Sequence, residues 1–457
     1  MKSSDTYKSS QSLSRRRFLG TSSVAAFAAA GPAANAAPAT SGAVGKPAML
    51  GGSKAMTGAF PSWPVRDASE EQSINAVVRG GKWGRGVGDR VVSFEKQFAE
   101  LMRVPACLAT SSGTAALLTS LNAMGIGPGD EVIVSPYTFV ACVNVILMCH
   151  ALPVFADTDP ETFQLDARSI ESRINGKTAA IMPVHLGGGT FDVDAVQAVA
   201  RKHNIPILED SCQSHLAEWK GKRTGSFGTA GCFSFQASKN LNAGEGGAIL
   251  STDASLIGRC YEFHNNGRGR TQPGSDFSYA NRGLNLRMTE FQGQLLMNQM
   301  TRLEEQSRRR EQNAQYLGGM LKEIGGLTQV KTYAGCTRNA YHLYMMRYDA
   351  SQFGGLSRTK FLKALSAEGV SGSSGYAPLN KEPFLKNSFA TRGFQAIYSK
   401  DRLRQWTEAN KCPGNDRACE EAVWFTQTML LGQRGDMDAI ADAVRKIKKY
   451  ASEIAKA

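Results

Sequence analysis

Two residues of this sequence, Asp210 and Lys239, have the types and positions that can support covalent chemistry. Asp210 is the last residue of the apolar run Pro206–Asp210, where a carboxylate can pair with a protonated ring nitrogen of a ligand. Lys239 comes four residues after the predicted strand Gly231–Phe235, and its amine can form a Schiff base with a carbonyl compound. Each has a simpler interpretation, because aspartates often cap helices and most lysines are solvated charges.

An anion cradle and a stacking ring stand at two further strand ends. Ser112, Gly113 and Thr114 open a helical pattern, where hydroxyls and free backbone N–H groups can hold a phosphate. Phe139 follows another strand and can stack on a flat ligand. Taken alone, the first segment is a good helix cap and the second is ordinary packing. Together with the acid and the lysine they predict a site for pyridoxal phosphate.

Seven short apolar runs predict the strands that would position these residues. They are Ala106–Ala109, Glu131–Ser135, Pro153–Asp157, Ala180–His185, Pro206–Asp210, Gly231–Phe235 and Gly247–Ser251. Helical stretches lie between them, which is typical of an α/β fold with a mostly parallel sheet between helices. In such sheets ligands bind beyond the carboxyl ends of the strands, where the candidate residues are expected.

The remaining pattern predicts a second, smaller domain. Residues 289–323 have a long helical pattern, and residues 326–457 contain the strand-like Tyr341–Tyr348 and a closing helix over Asp436–Ala455. We therefore expect a large domain over residues 56–325 and a smaller C-terminal α+β domain over residues 326–457.

Composition excludes several classes of protein. The chain has 457 residues, of which 42% are hydrophobic and 20% charged, so it can bury a large core. The formal net charge of +13 favours anionic ligands, but no basic stripe interleaved with aromatics predicts nucleic-acid binding. The nine cysteines show no metal-ligand spacing, so no metal is expected; only Cys412 and Cys419 are close enough in sequence to suggest a disulfide, in an oxidising compartment.

The N-terminus predicts export. Ser14-Arg15-Arg16-Arg17-Phe18-Leu19 precedes the alanine-rich run Thr21–Ala30 and a small-x-small cleavage site at Ala34-Asn35-Ala36. This resembles a twin-arginine signal over residues 1–36, which would place the mature chain in the periplasm or elsewhere outside the cytoplasm. A general secretory signal or a basic tail is the alternative, and an unused signal would leave the chain cytoplasmic. Residues 37–55 predict a flexible leader, and no later segment predicts a membrane span.

In this order the segments resemble the DegT/StrS-type sugar aminotransferases, which depend on pyridoxal phosphate and have the fold-type-I architecture of the aspartate aminotransferase superfamily. The most specific stretches of the resemblance are Glu209-Asp210-Ser211-Cys212-Gln213, Phe233-Ser234-Phe235 with Lys239, Gly244-Glu245-Gly246-Gly247 and Gly283-Leu284-Asn285-Leu286-Arg287. The resemblance implies a seven-stranded sheet in the large domain.

The resemblance also implies roles for residues around the cofactor ring. Lys239 would carry the cofactor as a Schiff base, and Asp210 would keep the pyridine nitrogen protonated. Phe139 would stack on the face of the ring, and Gln213 would lie beside its 3-hydroxyl group. Lys239 and Asp210 are thus the expected catalytic residues.

Other residues are implied at the cofactor phosphate. Ser112, Gly113, Thr114 and Ser234 would bind it from the same chain. Asn285 matches a family residue that reaches the phosphate held by the neighbouring subunit. The resemblance therefore implies a homodimer with shared active sites.

The activity implied is transfer of an amino group from glutamate or glutamine to a keto-sugar or keto-cyclitol in two half-reactions. His185, Tyr341 and Tyr376 are the candidate substrate residues. Two other hypotheses stay open at this point. One is a relative that binds sugar or cofactor without turnover, and the other is a fold-type-I enzyme of another reaction type.

Overall fold

Seven buried strands form the central sheet that the apolar runs predict. The computed structural model describes residues 45–270, 277–279 and 281–457, so the predicted signal at residues 1–36 lies outside the described residues. The strands are β1 (Ala106–Thr110), β2 (Glu131–Val134), β3 (Leu152–Phe155), β4 (Thr178–Met182), β5 (Leu208–Asp210), β6 (Ala230–Ser234) and β7 (Gly247–Ser251). Every residue of β2, β3, β5, β6 and β7 is buried, which indicates a sheet covered on both faces.

The order across the sheet is β1-β7-β6-β5-β4-β2-β3. Ladders join the first four strands and the last three, and parallel bridges Ile181–Ile207 and Val184–Asp210 connect β4 to β5. Only β7 runs antiparallel to its neighbours. The mostly parallel sheet is therefore confirmed, and the carboxyl ends of the other six strands meet at one edge.

Helices cover this sheet on both faces. They are α1 (Ala68–Gly80), α2 (Arg90–Met102), α3 (Gly113–Ala123), α4 (Ala141–Met148), α5 (Ala167–Ile170), α6 (Val193–His203) and α7 (Ala254–His264). Short hairpins at Glu218–Trp219 with Lys222–Arg223, and at Gly269–Arg270 with Phe277–Ser278, lie in the connections.

A 35-residue helix, α8 (Glu290–Ile324), leads from the central sheet to a second one. It begins at a capping box. The Thr289 side chain accepts from the backbone N–H of Gln292, and the Gln292 side chain accepts from the backbone N–H of Thr289. The second sheet is antiparallel, with β9 (Leu343–Tyr348) between β8 (Leu327–Gln329) and β10 (Ala422–Thr426). Its helices are α9 (Arg358–Ala367), α10 (Pro383–Phe389), α11 (Arg392–Ile397), α12 (Lys400–Ala409), α13 (Pro413–Glu421), α14 (Arg434–Lys449) and α15 (Ala451–Lys456).

Part of the C-terminal region packs on the first sheet rather than the second. Residues 383–409 carry Phe394, Tyr398 and Trp406, which share a buried cluster with β2 and β3. The Trp406 indole donates to the Pro153 carbonyl at 2.6 Å, and the Tyr398 hydroxyl donates to the His150 carbonyl at 2.9 Å. Contacts across the predicted boundary at residue 325 are thus extensive, and the described residues, from 45 onward, belong to one compact unit.

Residues 45–55, which the sequence assigned to a flexible leader, are held against the second sheet. The fully buried carboxylate of Glu368 accepts from the Ala48 N–H at 2.6 Å and from the Ala55 N–H at 2.7 Å. Lys446 donates to the same carboxylate at 3.0 Å and to the Ser53 carbonyl at 2.6 Å. This part of the leader is therefore ordered, and Glu368 explains why.

The suggested Cys412–Cys419 disulfide does not form. Cys412 is the residue before α13, and Cys419 lies seven residues further along the same helix. A rise of about 1.5 Å per residue separates them by roughly 10 Å, whereas a disulfide needs Cα atoms within about 7 Å. Both thiols are buried and free.

Candidate active site

A cavity of about 480 Å³ lies at the carboxyl edge of the central sheet, between that sheet and the C-terminal region. Most of the candidate residues line it: Ser112, Gly113, Thr114, Phe139, Asp210, Gln213, Ser234, Lys239 and Tyr376. These residues follow β1, β2, β5 and β6 or come from the C-terminal region. The strand ends that the sequence singled out therefore do meet.

Lys239 points into this cavity from the loop after β6. Burial lowers the pKa of its amine from the ordinary value, against the opposing effects of Cys212 and Asp210. A lowered pKa increases the fraction of unprotonated amine, the form that attacks a carbonyl carbon. The Lys239 Nζ lies 3.5 Å from the Nε2 of His342, a cavity residue that the sequence analysis did not name as a candidate.

Asp210 is buried at the end of β5, and protein groups hold both of its oxygens. The Cys212 N–H donates to Oδ1 at 3.0 Å, and the Cys142 thiol donates to Oδ2 at 2.8 Å. Its neighbour Glu209 faces the opposite side of the strand, where it accepts from the N–H groups of Gly225 and Gly228, each at 2.7 Å. Asp210 is therefore a fixed carboxylate that faces the cavity.

The start of α3 forms the anion cradle. The Ser112 hydroxyl accepts from the Ala115 N–H at 3.0 Å and so caps the helix, as its simpler interpretation predicted. Position 113 has no room for a side chain, because a Cβ atom there would lie 2.7 Å from the Ser234 Cβ and 2.8 Å from the Cys212 Sγ. Helix geometry leaves the first N–H groups of α3 without intrahelical partners, beside the Thr114 and Ser234 hydroxyls.

Aromatic and amide side chains form the rest of the wall. Phe139 is 55% exposed, so its ring is available to a ligand. The Gln213 amide donates to the Tyr376 hydroxyl at 3.1 Å and accepts from the Gly187 N–H at 2.7 Å. Tyr376 meets Trp424, another cavity residue, edge to face at 4.7 Å between ring centroids.

Two of the three candidate substrate residues do not line the cavity. His185 is fully buried, with its Nε2 3.0 Å from Glu209 and its ring stacked on Phe191 at 4.3 Å. Tyr341 packs in the core of the second sheet, and its hydroxyl accepts from Gln329 at 3.4 Å. The cavity is lined instead by their neighbours Val184 and His342.

Asn285 lies outside its own chain's cavity. Its backbone pairs with Asn265, and its side chain is exposed.

A family model for the DegT/DnrJ/EryC1/StrS aminotransferase family matches residues 64–445. The chain belongs to this family. An L-glutamine:2-deoxy-scyllo-inosose aminotransferase of Streptomyces lividus is 33% identical over 425 residues, which is 89% of this chain and 98% of the relative. A putative L-glutamine:3-amino-2,3-dideoxy-scyllo-inosose aminotransferase of Streptoalloteichus tenebrarius is 34% identical over 411 residues, or 88% and 97% of the two chains.

Solved structures agree with this assignment. The crystal structure of 3-amino-5-hydroxybenzoic acid synthase superposes with a TM-score of 0.77 at 29% identity and covers 87% of this chain and 99% of its own. The fold is therefore the fold-type-I architecture, and the protein is an aminotransferase that depends on pyridoxal 5′-phosphate. Among the described residues no helix is long and apolar enough to cross a membrane, and no cluster of His, Cys, Asp and Glu side chains could hold a metal ion.

The residues present fit this cofactor. The cradle at Gly113 leaves room only for backbone donors, which suits a phosphate. Asp210 would supply a buried carboxylate for the ring nitrogen, Lys239 an amine whose pKa burial lowers, and Phe139 an exposed ring face. When bound, the cofactor supplies the electron sink that lets a proton leave the α-carbon of an amino acid.

Proposed function

We propose that this enzyme transfers the amino group of glutamine or glutamate to a keto-cyclitol, a polyhydroxylated ring ketone. The observation that carries the proposal is a cavity that unites every candidate cofactor residue except Asn285 with a wall that includes Tyr376 and Trp424. Aromatic faces edged by hydroxyl and amide groups suit a ring that has C–H faces and equatorial hydroxyls. The L-glutamine:scyllo-inosose aminotransferases named above support the same substrate class.

The side chains of Lys239, Asp210 and Gln213 have separate roles in the two half-reactions. Among the described residues Lys239 is the only lysine that lines the cavity, so its amine would hold the cofactor and, when free, move the proton at the substrate's α-carbon. Two donors hold the Asp210 oxygens in place, so its carboxyl group would be oriented to pair with the ring nitrogen. The Gln213 amide fixes the Tyr376 hydroxyl toward the substrate side.

The test is transamination by the purified chain with glutamine as donor and 2-deoxy-scyllo-inosose or a keto-sugar nucleotide as acceptor. We expect turnover with the cyclitol. Lys239→Ala should abolish it, and His203→Gln, on the surface at the end of α6, should not change it. Turnover only with keto-sugar nucleotides would contradict the keto-cyclitol as substrate and favour a keto-sugar. Cofactor binding without any turnover would favour a protein that binds sugar or cofactor but does not catalyse transamination.

We also propose that the enzyme is a homodimer with shared active sites. In support, Asn285 is exposed and outside its own cavity, and the exposed apolar side chains include Trp83, Val87, Val92 and Leu284. Such a set indicates a covered surface. The test mixes Lys239→Ala with Asn285→Ala chains after dissociation: a shared site predicts that the mixture regains activity that neither variant has, whereas separate sites predict none.

We propose, finally, that the signal at residues 1–36 exports the chain. The support is the Arg15-Arg16 pair followed by Arg17-Phe18-Leu19. Because the twin-arginine route carries folded proteins, the cofactor can be loaded before transport. The full chain should leave the cytoplasm of a bacterial host and lose its signal, whereas an Arg15→Lys, Arg16→Lys variant should remain inside at full length. Export of that variant would contradict the twin-arginine assignment.

A further inference from the structure

His342 and Lys239 come from different parts of the fold and meet at one cavity. His342 precedes β9 in the C-terminal region, and Lys239 lies on the loop after β6. Their side-chain nitrogens, Nε2 and Nζ, are 3.5 Å apart. This distance is long for a hydrogen bond, as is common at sites whose contacts tighten when substrate binds.

Asn240 decides which nitrogen of His342 carries the proton. The Asn240 side-chain N–H donates to the Ala340 carbonyl at 2.7 Å, and a carbonyl oxygen can only accept. The amide oxygen of Asn240 must then be the atom that lies 3.3 Å from His342 Nδ1. That oxygen is also only an acceptor, so Nδ1 carries the hydrogen and the lone pair of Nε2 points at Lys239.

The surroundings keep His342 neutral. Burial lowers the pKa of its imidazole well below the ordinary value, and the charges of Lys239 and Arg310 and the nearby His215 lower it further. Arg310 is fully buried; its guanidinium donates to the Gln427 amide oxygen at 2.9 Å and lies 5.4 Å from the Trp63 ring centroid. Among the described residues no carboxylate forms a salt bridge with Arg310.

Besides burial, the groups that act on the pKa of Lys239 are Cys212, Asp210 and Cys142. The two thiols are themselves buried, which raises their pKa well above the ordinary value and keeps them uncharged. Asp210 is engaged with its two donors. Among the described residues, His342 is thus the neutral acceptor within hydrogen-bonding distance of the amine.

We propose that His342 is a positioning residue, whose Nε2 accepts a hydrogen bond from the free amine of Lys239 and holds it at the cavity. The proposal rests on the proposed function, in which that amine is alternately bound to the cofactor and released. An acceptor at this place favours the protonated amine and so offsets part of the effect of burial. It also keeps the flexible lysine side chain in reach of the reacting atoms.

The test measures the protonation of Lys239 in the cofactor-free full chain. Trace acetylation with acetic anhydride over a range of pH, read by mass spectrometry of the Lys239 peptide, gives the midpoint of its titration, with exposed Lys54 as internal reference. His342→Gln keeps an acceptor near the position of Nε2, whereas His342→Leu and His342→Phe remove it. His203→Gln is the surface control.

We expect the wild-type chain, His342→Gln and His203→Gln to share one midpoint. His342→Leu or His342→Phe, whichever melts cooperatively, should have a midpoint lower by about one pH unit, a tenfold change in the protonation equilibrium. An unchanged midpoint in His342→Leu and His342→Phe would overturn the proposal. A midpoint in His342→Gln as low as the midpoint in those two variants would also overturn it. Because labelling needs neither cofactor nor substrate, its result stands apart from any failure of transamination.

Discussion

Replacement of Gly113 by alanine should weaken cofactor binding much more than it weakens the fold. The new Cβ would lie 2.7 Å from the Ser234 Cβ and 2.8 Å from the Cys212 Sγ, closer than side-chain carbons are found. To bring the distance between the new Cβ and the Ser234 Cβ to an ordinary contact near 3.4 Å, the first turn of α3 must move by about 0.7 Å. A phosphate bond from its N–H groups would lengthen from about 2.9 to about 3.6 Å, which is beyond hydrogen-bonding distance.

The loss of one such charge-assisted bond costs about 1.5–3 kcal/mol, so the Kd for pyridoxal phosphate should rise at least about tenfold. Overpacking should lower the free energy of unfolding of the cofactor-free chain by about 1–3 kcal/mol. Absorbance titration with the cofactor and denaturant unfolding measure the two effects. Gly127→Ala is the matched control, because its Cβ would meet nothing within 4 Å. An unchanged Kd for Gly113→Ala would refute the cradle.

Three further predictions concern stability. Cys142→Ala should lower the free energy of unfolding by about 1–3 kcal/mol, because it removes a donor from the buried Asp210 carboxylate, and Cys142→Ser should restore most of it; urea unfolding checks both. Glu368→Gln should cost about 2 kcal/mol and make residues 45–55 accessible to limited proteolysis, because the carboxylate that holds them loses an acceptor oxygen; proteolysis confined to other sites would count against this. Burial lowers the pKa of His215 to about 3 from an ordinary value of 6.5, so the folded chain takes up this proton later than the unfolded chain does. The contribution of neutral His215 to the free energy of unfolding should be full above pH 6.5 and fall as the pH drops toward 3. His215→Phe should therefore reduce the slope of the free energy of unfolding against pH by up to about 1.4 kcal/mol per pH unit, which denaturant unfolding across this range measures.

The strand pattern was enough to predict the edge at which the site lies. Buried parallel strands read as continuous apolar runs, and the polar residue types after each run stand out against them. Lys239, Asp210, Phe139 and Gln213 were all found in this way or through the family motifs, and all line the cavity.

Two of the candidate substrate residues lie outside the cavity because they face away from it while a neighbour lines it. Val184 lines the cavity while His185 turns away to Glu209, and His342 lines it while Tyr341 turns away into the second core. His185 (φ −82°, ψ 74°) and Tyr341 (φ 48°) lie just outside their strands in backbone that is not extended, so a motif locates a segment without telling which of its residues faces the ligand. That choice depends on the exact strand end, which a sequence gives only to within a few residues.

Long-range packing was the other feature that local patterns could not supply. Residues 45–55 have the small polar composition of a linker, yet the buried Glu368, more than 300 positions away, fixes them through two backbone N–H groups. Trp406 likewise lies in the C-terminal region but donates to Pro153 of the first sheet. In both cases one polar group decides the contact, and such pairings have no periodicity in the sequence.

These contacts bear on how the compartment must be tested. The cysteines do not indicate an oxidising compartment, because the suggested Cys412–Cys419 pair does not form a disulfide. Cys412 is the N-cap residue of α13 and Cys419 lies within the helix, about 10 Å away by helical rise. The proposed signal at residues 1–36 is thus the feature of the sequence that argues for export, while the segment from residue 45 onward is part of the folded enzyme. A truncation that reaches past Ala48 would remove a donor to Glu368, and one past Ala55 would remove both, so that mislocalisation could not be told from unfolding. The Arg15→Lys, Arg16→Lys pair avoids this, because it changes the export motif and leaves every described contact in place.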